Sequence, residues 1–413
     1  MTPPLQKPPR KDPLQRTRQP LLPPHQRSRT ALGLTSAAAE GRFALQVCAE
    51  CDHATYPPRD ACPFCLSERL AFKDVDDGGT LIAETTVRVS SDGYFRERLP
   101  WRIGTVLLDC GPAMLAHLHG DLGEGDRVRM IWRLDKAGQA AAFAMPAKDV
   151  PHMTADRQLR EMTCDPTHRR VLVTDARSPV GHALVQAMSE AGASIVFAGV
   201  ADAWKPFPGE AKLRAIPRVE VVPLDLTDSR SVSELAGDIG ARVEIIVNTA
   251  EHVRAGGIVG HRGLIAAQEA MEVRYFGLLR LAQAFGPVLR ARGADGPAPA
   301  AALVNLIAAQ ALMNWPAFGT FSAAEAATLS AAQCLRAELR QGGVKVLNVF
   351  HGPLETDWYQ AVPPPKIAPA ALAKAVVGAL TRGLEDSFVG DVAEDIRARL
   401  EANPKALERE LEQ

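Results

Sequence analysis

The chain has 413 residues, 46% of them hydrophobic and 23% charged, with a formal net charge of −1. That length is more than one core readily fills and predicts two domains. The near-neutral balance provides no global field for steering toward nucleic acid or an anionic membrane, and no apolar run has the length of a membrane-spanning helix. Residues 1–29 are rich in proline and basic side chains, among them Lys7, Arg10, Lys11, Arg16, Arg18, Arg27 and Arg29. They read as a disordered tail, because the prolines break any amphipathic helix and a signal-peptide core is missing. With no export signal a cytoplasmic protein is expected, where the seven cysteines serve as ligands and buried thiols and not as disulfides.

Residues 30–146 form the first expected module. Ala31–Gly41 reads as a short helix. Cys48-Ala-Glu-Cys51 and Cys62-Pro-Phe-Cys65 are two Cys-x2-Cys knuckles with ten residues between them. Each knuckle sets two thiolates on one tight turn, and two knuckles supply a closed tetrahedral shell for a structural zinc ion. Short strands follow at Thr80–Val87, Arg102–Leu108, Ala113–Leu118 and Val128–Leu134, the spacing of a small β-barrel. His117 and His119 alternate and read as solvent-facing. Cys110, Cys164 and Cys334 read as packing residues. Between the knuckles stand Asp52, Asp60 and only Arg59, and no aromatic-basic stripe follows, which argues against nucleic-acid binding. Residues 147–169, with Pro151 and Pro166, read as a linker.

The leading helix, double knuckle and barrel together resemble the zinc-ribbon plus OB-fold family associated with acyl-CoA enzymes, over Arg27–Pro146. The resemblance implies a non-catalytic partner of a thiolase-like enzyme, or of an acyl-CoA hydratase or aldolase, that itself holds the CoA ester.

From Arg170 short apolar strands alternate with helices: strands at Val171–Thr174, Ser194–Gly199, Glu220–Leu224, Val243–Asn248, Ala302–Leu306 and, ending the set, Lys345–Val349. This pattern means a doubly wound parallel sheet of Rossmann type over residues 170–413. The landmarks resemble the short-chain dehydrogenase/reductase (SDR) family. Thr174 opens a turn, Asp175-Ala-Arg-Ser-Pro-Val-Gly181, where that family has TGxxxGxG. Asp225 stands at its adenine-contacting aspartate, Asn248-Thr-Ala250 at its NNAG, and His351-Gly-Pro-Leu-Glu-Thr356 at its PGxxxT.

The resemblance also locates the family's catalytic Asn, Ser, Tyr and Lys, and here these positions hold Arg274, Ala308, Phe321 and Glu325. No member of that acid-base relay survives. Tyr275 neighbours the old Asn position but, adjacent on a helix, does not share its face. The cofactor turn is altered too: Asp175 and Pro179 replace glycines, Gly181 remains, and Gly199-Val200 stand where an acidic residue would hold the NAD ribose. Vestigial contacts are left to Thr174, Arg177, Gly181, Asp225 and Asn248, so NAD(P) binding is expected to be weak or lost. Arg177 offers a handle for a 2′-phosphate but reads as a solvated loop residue, as do Glu251, His252 and His261. Arg274 and Glu325, which lie close together in this fold, are expected to form an ion pair that fills the vacated site.

Helices over Gly263–Arg290 and Ala323–Gln341 match those of the family's dimer interface, with Leu278, Leu281, Ala282, Leu329 and Ala332 on faces suited to close packing. The expected protein is therefore an accessory or scaffold subunit of acyl-CoA metabolism. Its dead SDR domain would pair with itself or with an active dehydrogenase relative. The alternative is an atypical NAD(P)-dependent oxidoreductase acting on a 3-hydroxyacyl-CoA or a ketone.

Overall fold

The computed structural model describes residues 2–5, 21–260, 263–292 and 301–410. Most of the expected tail and His261 lie outside these residues. The chain folds as two compact units, one built mainly from residues up to Cys164 and one mainly from Asp165 onward.

In the first unit, helix α1 (Leu32–Glu40) leads into strands β1 (Ala44–Cys48), β2 (Ala54–Thr55) and β3 (Leu70–Asp74), ordered β2-β1-β3. Strands β4 (Gly78–Val87), β5 (Trp101–Leu108), β6 (Ala113–Leu118), β7 (Arg127–Leu134) and β8 (Ala140–Pro146) close a barrel in the order β4-β5-β6-β8-β7. Alternation sorts the faces, as it must in a strand. Met114, Ala116 and Leu118 of β6 point into the barrel with Val106, Met130 and Trp132, and Leu34 and Leu45 join the same core. Strand β8 escaped the sequence reading because its alanine-rich run carries no strand signature; pairing with β6 and β7 makes it a strand.

The outer face of the barrel is also apolar on one side, which corrects two expectations. Ile103, His117, Phe143 and Ile131 fall in one register across β5, β6, β8 and β7. Two short helices, α2 (Gly93–Arg96) and α3 (Arg157–Arg160), supply Phe95 and Leu159, which pack there together with Met162 just beyond α3. Residues 156–164, read as linker, are therefore buried apart from Arg157 and held specifically. The Gln158 side chain accepts from Arg102 N (2.6 Å) and donates to Arg102 O (2.9 Å), continuing the hydrogen bonding of β5. Glu161, only 3% exposed, receives Arg98 Nε (3.0 Å), Lys136 Nζ (3.1 Å) and the Tyr94 hydroxyl (3.3 Å). Burial alone would raise the Glu161 carboxyl, but Lys136 and Arg98 outweigh it and hold the group below its ordinary range.

Nor do His117 and His119 face solvent. His119 is fully buried, with Nε2 against Met153 O at 3.0 Å. His117 is half-buried and accepts at Nδ1 from Trp101 Nε1 (2.8 Å); burial pushes its pKa down to about 4, so it is neutral.

The second unit is a seven-stranded parallel sheet. Its strands are β9 (Arg170–Val173), β10 (Ile195–Val200), β11 (Val219–Pro223), β12 (Ile245–Asn248), β13 (Ala302–Ala308), β14 (Lys345–His351) and β15 (Asp386–Val389). They run β11-β10-β9-β12-β13-β14-β15, every neighbour parallel. The order reverses between β9 and β12, where an open α/β sheet presents its ligand crevice.

Flanking helices include α4 (Pro179–Glu190), α5 (Glu210–Ala215), α6 (Ser229–Ile239), α7 (Gly263–Met271), α8 (Gly277–Arg292) and α9 (Gly319–Arg340). Leu172, Phe197, Ile246 and Leu303 of the sheet pack with Leu235, Leu281, Phe285 and Leu329 of the helices. Strand β15 is beyond the end of the set expected from sequence; it is short and half-buried, and its pairing with β14 defines it.

Two smaller corrections concern the helices. Leu278, Leu281, Leu329 and Ala332 belong to this core and do not form a free packing face. Cys334 is exposed on α9. Among the described residues no helix is long and apolar enough to cross a membrane.

Candidate functional site

Two sites emerge, one in each unit. In the first, the knuckles bring Cys48, Cys51, Cys62 and Cys65 together, with all four sulfurs within 4.8 Å of one another. Cys48 and Cys65 approach to 3.5 Å, and Cys51 and Cys62 to 3.7 Å. Zinc–thiolate bonds of about 2.3 Å imply tetrahedral edges of about 3.8 Å, so the arrangement fits zinc. Cys48 and Cys62 are buried and Cys51 and Cys65 exposed, and four thiolates leave no position for substrate. The ion would hold the ribbon together.

The second site is the crevice of the parallel sheet. Its phosphate-facing turn is closed upon itself. Ser178 caps α4 by accepting from Gly181 N (3.0 Å), and Pro179 occupies the first helical turn without an N–H. The Asp175 carboxylate accepts from Arg177 N (3.1 Å), and Ala176 N is bonded to Gly199 O (2.8 Å). Burial raises the Asp175 carboxyl. The amides that would cradle a pyrophosphate are thus largely committed within the protein. Gly181 persists for a steric reason: a Cβ there would lie 1.7 Å from Asp175 O.

The other residues at the resembled family's cofactor positions are engaged as well. Thr174 and Asn248 are both buried and meet at 3.4 Å, and Asn248 Oδ1 also accepts from Ala250 N (3.3 Å). Asp225 Oδ1 accepts from Thr227 N (2.8 Å) and its hydroxyl (2.7 Å). Arg177 is exposed, with Nη1 on Ala201 O at 3.2 Å and its guanidinium over the Phe207 ring at 5.5 Å.

Deeper in the crevice, Arg274, Ala308, Phe321 and Glu325, which stand at the positions of the resembled family's catalytic residues, come together. Arg274 sits in a π-helical turn, Glu272–Phe276, between α7 and α8; such turns re-aim a side chain without ending the helix. Its guanidinium donates to Ala250 O, to Leu306 O (2.6 Å) and to Glu325 Oε2 (2.7 Å), while its Nε lies against Glu325 Oε1. Glu325 in turn accepts from Ala308 N (2.9 Å). The pair is 3% and 1% exposed, and Phe321 beside it on α9 is 2% exposed. Burial alone would lower the Arg274 pKa, but the Glu325 carboxylate more than offsets this and keeps the guanidinium charged.

Of two further residues of the crevice, the sequence placed Glu251 in a loop near the cleft but read it as solvated, and gave no sign of Tyr359. Glu251, taken for a solvated loop residue, is turned into the site beside Arg274, Glu325 and Asp175. Burial pushes its carboxyl up to about 7, with Arg274 and Tyr359 acting in the opposite direction. Tyr359, 1% exposed, lies against it; burial and then the charges of Glu251 and Glu325 push its phenol well above the usual range. Glu251 stands where the resembled family has the glycine of NNAG, and that exchange was the available signal. His252 is half-buried, with Nε2 3.4 Å from Glu269 and its ring 5.4 Å from that of Trp358. His351 is buried and neutral, its pKa lowered by burial to about 4.

This fold and crevice define a Rossmann-type unit with a metal-binding ribbon and barrel ahead of it, and comparison with known proteins gives the same division. Residues 176–386 match the family described as enoyl-(acyl carrier protein) reductase, residues 35–71 the rubredoxin-like zinc ribbon domain of ChsH2, and residues 73–133 the C-terminal OB-fold domain of ChsH2. The chain belongs to the short-chain dehydrogenase/reductase family, and carries a ChsH2-type ribbon and OB fold at its N-terminal side.

It is 30% identical over 247 residues to 1-deoxy-11-beta-hydroxypentalenate dehydrogenase of Streptomyces exfoliatus, covering 56% of this chain and 86% of that one. It is 26% identical over 196 residues to rat estradiol 17-beta-dehydrogenase 2, covering 46% of this chain and about half (49%) of that enzyme's length. A solved short-chain dehydrogenase from Burkholderia cenocepacia, in complex with NADP, is 31% identical with a TM-score of 0.54, over 60% of this chain and 98% of that one.

Proposed function

We propose that the chain is a non-catalytic accessory subunit of acyl-CoA metabolism. Its ribbon-barrel module docks a thiolase-like enzyme and helps to hold the acyl-CoA. Its SDR unit, inactive as a dehydrogenase, assembles with itself or with an active dehydrogenase relative. The observation that carries the inactivity is the buried Arg274–Glu325 pair, with Ala308 and Phe321 beside it. A nicotinamide site of this type needs a titratable phenol with a neighbouring ammonium, and neither stands at the corresponding positions. The internal commitment of the Asp175–Gly181 amides supports weak NAD(P) binding or none.

Pull-down with a purified thiolase-type enzyme and a purified dehydrogenase relative, followed by partner activity with and without this chain, tests the reading. Failure to bind either partner overturns it. One finding favours a second reading, an atypical NAD(P)-dependent oxidoreductase: a relative of 31% identity holds NADP. Saturable quenching of NADPH fluorescence by the pure protein, together with turnover of a 3-ketoacyl-CoA, would establish that reading instead.

A further inference from the structure

We propose that the remodelled crevice is a carbonyl-binding site, in which the Tyr359 hydroxyl and the Glu251 carboxyl hold the ketone oxygen of a 3-ketoacyl thioester. The thioester rests on the acyl-CoA reading above; the carbonyl does not.

The argument starts from two orphans. Glu251 Oε1 and the Tyr359 hydroxyl are shut off from solvent, and neither makes a hydrogen bond of ordinary geometry with the described residues; the polar neighbour each has is the other. A buried polar atom left so costs about 1–3 kcal/mol, and native proteins rarely tolerate one without a use for it. Here two lie against each other in the crevice of the sheet: Glu251 in the loop after β12, and Tyr359 at the end of a 3-10 turn, Asp357–Tyr359, after β14.

The chemistry selects the ligand. A phenol and a protonated carboxyl are both O–H donors, and a carbonyl oxygen offers two lone pairs. Glu251 faces Arg274 from the π-helical turn, Glu325 from α9, Asp175 from the cofactor turn and Tyr359 from its loop. Burial and the two other carboxyls favour its protonated form up to about pH 7. A cation would meet the Arg274 guanidinium, and an anion would meet three acidic side chains, so a neutral acceptor suits the site best. The nearby Arg274 charge would favour the neutral enol form of a 1,3-dicarbonyl, whose oxygens share a proton and carry more partial negative charge than a simple ketone. Enolisation moves only a proton within the ligand; nothing is oxidised or reduced. The ring of His252 and the guanidinium of Arg254 both contact the Trp358 ring, tying together the two segments that carry Glu251 and Tyr359.

The test uses the full chain and two probes: acetylacetone, which has no CoA, and acetoacetyl-CoA. Binding is followed by calorimetry and by the ultraviolet band of the enol. Both probes should bind with a stronger enol band, and binding should weaken as pH rises above 7. Tyr359→Phe and Glu251→Ala should each weaken binding about tenfold, the share of one good hydrogen bond. Glu251→Gln, which keeps a donor, should retain binding and lose the pH dependence. Circular dichroism establishes that each variant is folded. Failure of acetylacetone to bind, or equal binding by wild type and both weakened variants, overturns the site. If acetylacetone binds as expected and acetoacetyl-CoA does not, the carbonyl site stands and the acyl-CoA reading falls. Acetoacetyl-CoA binding that ignores both substitutions gives the reverse.

Discussion

The two units each bury an ionic cluster, and the clusters are built on opposite plans. In the barrel unit one carboxylate, Glu161, receives two cations and a phenol, and its bonds are complete. In the SDR unit one guanidinium, Arg274, faces the carboxyls of Glu325 and Glu251, with Asp175 acting on Glu251 in turn, and two oxygens make no hydrogen bond of ordinary geometry with the described residues. The first arrangement fastens residues 156–164 to the barrel and asks for nothing more. The second leaves both proton and hydrogen-bonding capacity unspent, which is what a binding site needs and a structural one does not.

The comparison breaks most sharply at Glu325. Glu325→Lys, the family residue, would put an ammonium beside a buried guanidinium that keeps its other bonds. We expect a loss of about 3–5 kcal/mol in urea unfolding, recovered in large part by adding Arg274→Asn. A Glu325→Lys protein as stable as the wild type would show that the pair does not hold the site together.

Glu161→Gln tests the other plan and should cost roughly 3 kcal/mol, since it leaves Arg98 and Lys136 buried without their anion. Because the Glu161 carboxyl is held below its ordinary range, its contribution is complete above that range. It should fade as pH falls through the folded-state value. Residues 156–164 are where protection from hydrogen exchange should drop first.

The contrast also explains what could be read in advance. The zinc shell was legible because its ligands lie within 18 residues of one another and each knuckle is a local motif. The Arg274–Glu325 pair was legible at one remove, through the landmarks of a resembled fold that bring distant positions together. Strands β8 and β15 were not, because neither the run Ala-Ala-Ala-Phe-Ala-Met nor Asp-Ser-Phe-Val carries a signal apart from its partners. The burial of His117 was hidden for a related reason. A residue on the outside of a barrel reads as solvated until another segment covers it, and α2 and residues 153–162 are that cover. Tyr359 had no local signal, since its neighbour Glu251 belongs to a different loop.

The sign of the pH dependence separates the clusters further. Glu251 titrates about 7 in the folded chain and near an ordinary carboxyl in the unfolded one, so the folded state binds the extra proton. Its contribution is therefore complete at acidic pH and is lost as pH rises toward and through 7, the reverse of Glu161. The expected loss is on the order of 2 kcal/mol, and Glu251→Gln should flatten the curve. Unfolding followed by a probe in the SDR unit, at pH 5, 6, 7 and 8, reads it; a stability that rises over that span would mean Glu251 enters the folded state ionised.

The smallest effect is the most telling. Removing a hydroxyl that makes a good hydrogen bond in a protein interior usually destabilises it by about 1 kcal/mol. Tyr359→Phe removes one that makes no hydrogen bond of ordinary geometry with the described residues, and replaces it with hydrogen at a site 1% exposed. The ligand-free protein should then be unchanged or more stable by up to about 1 kcal/mol, while the same change weakens carbonyl binding. Stability and binding moving in opposite directions identify a group kept for its ligand, because a merely structural tyrosine would lose stability when its oxygen is taken away. A destabilised Tyr359→Phe would place the phenol with Glu161's partners, as a fastening, and the difference between the two units would disappear.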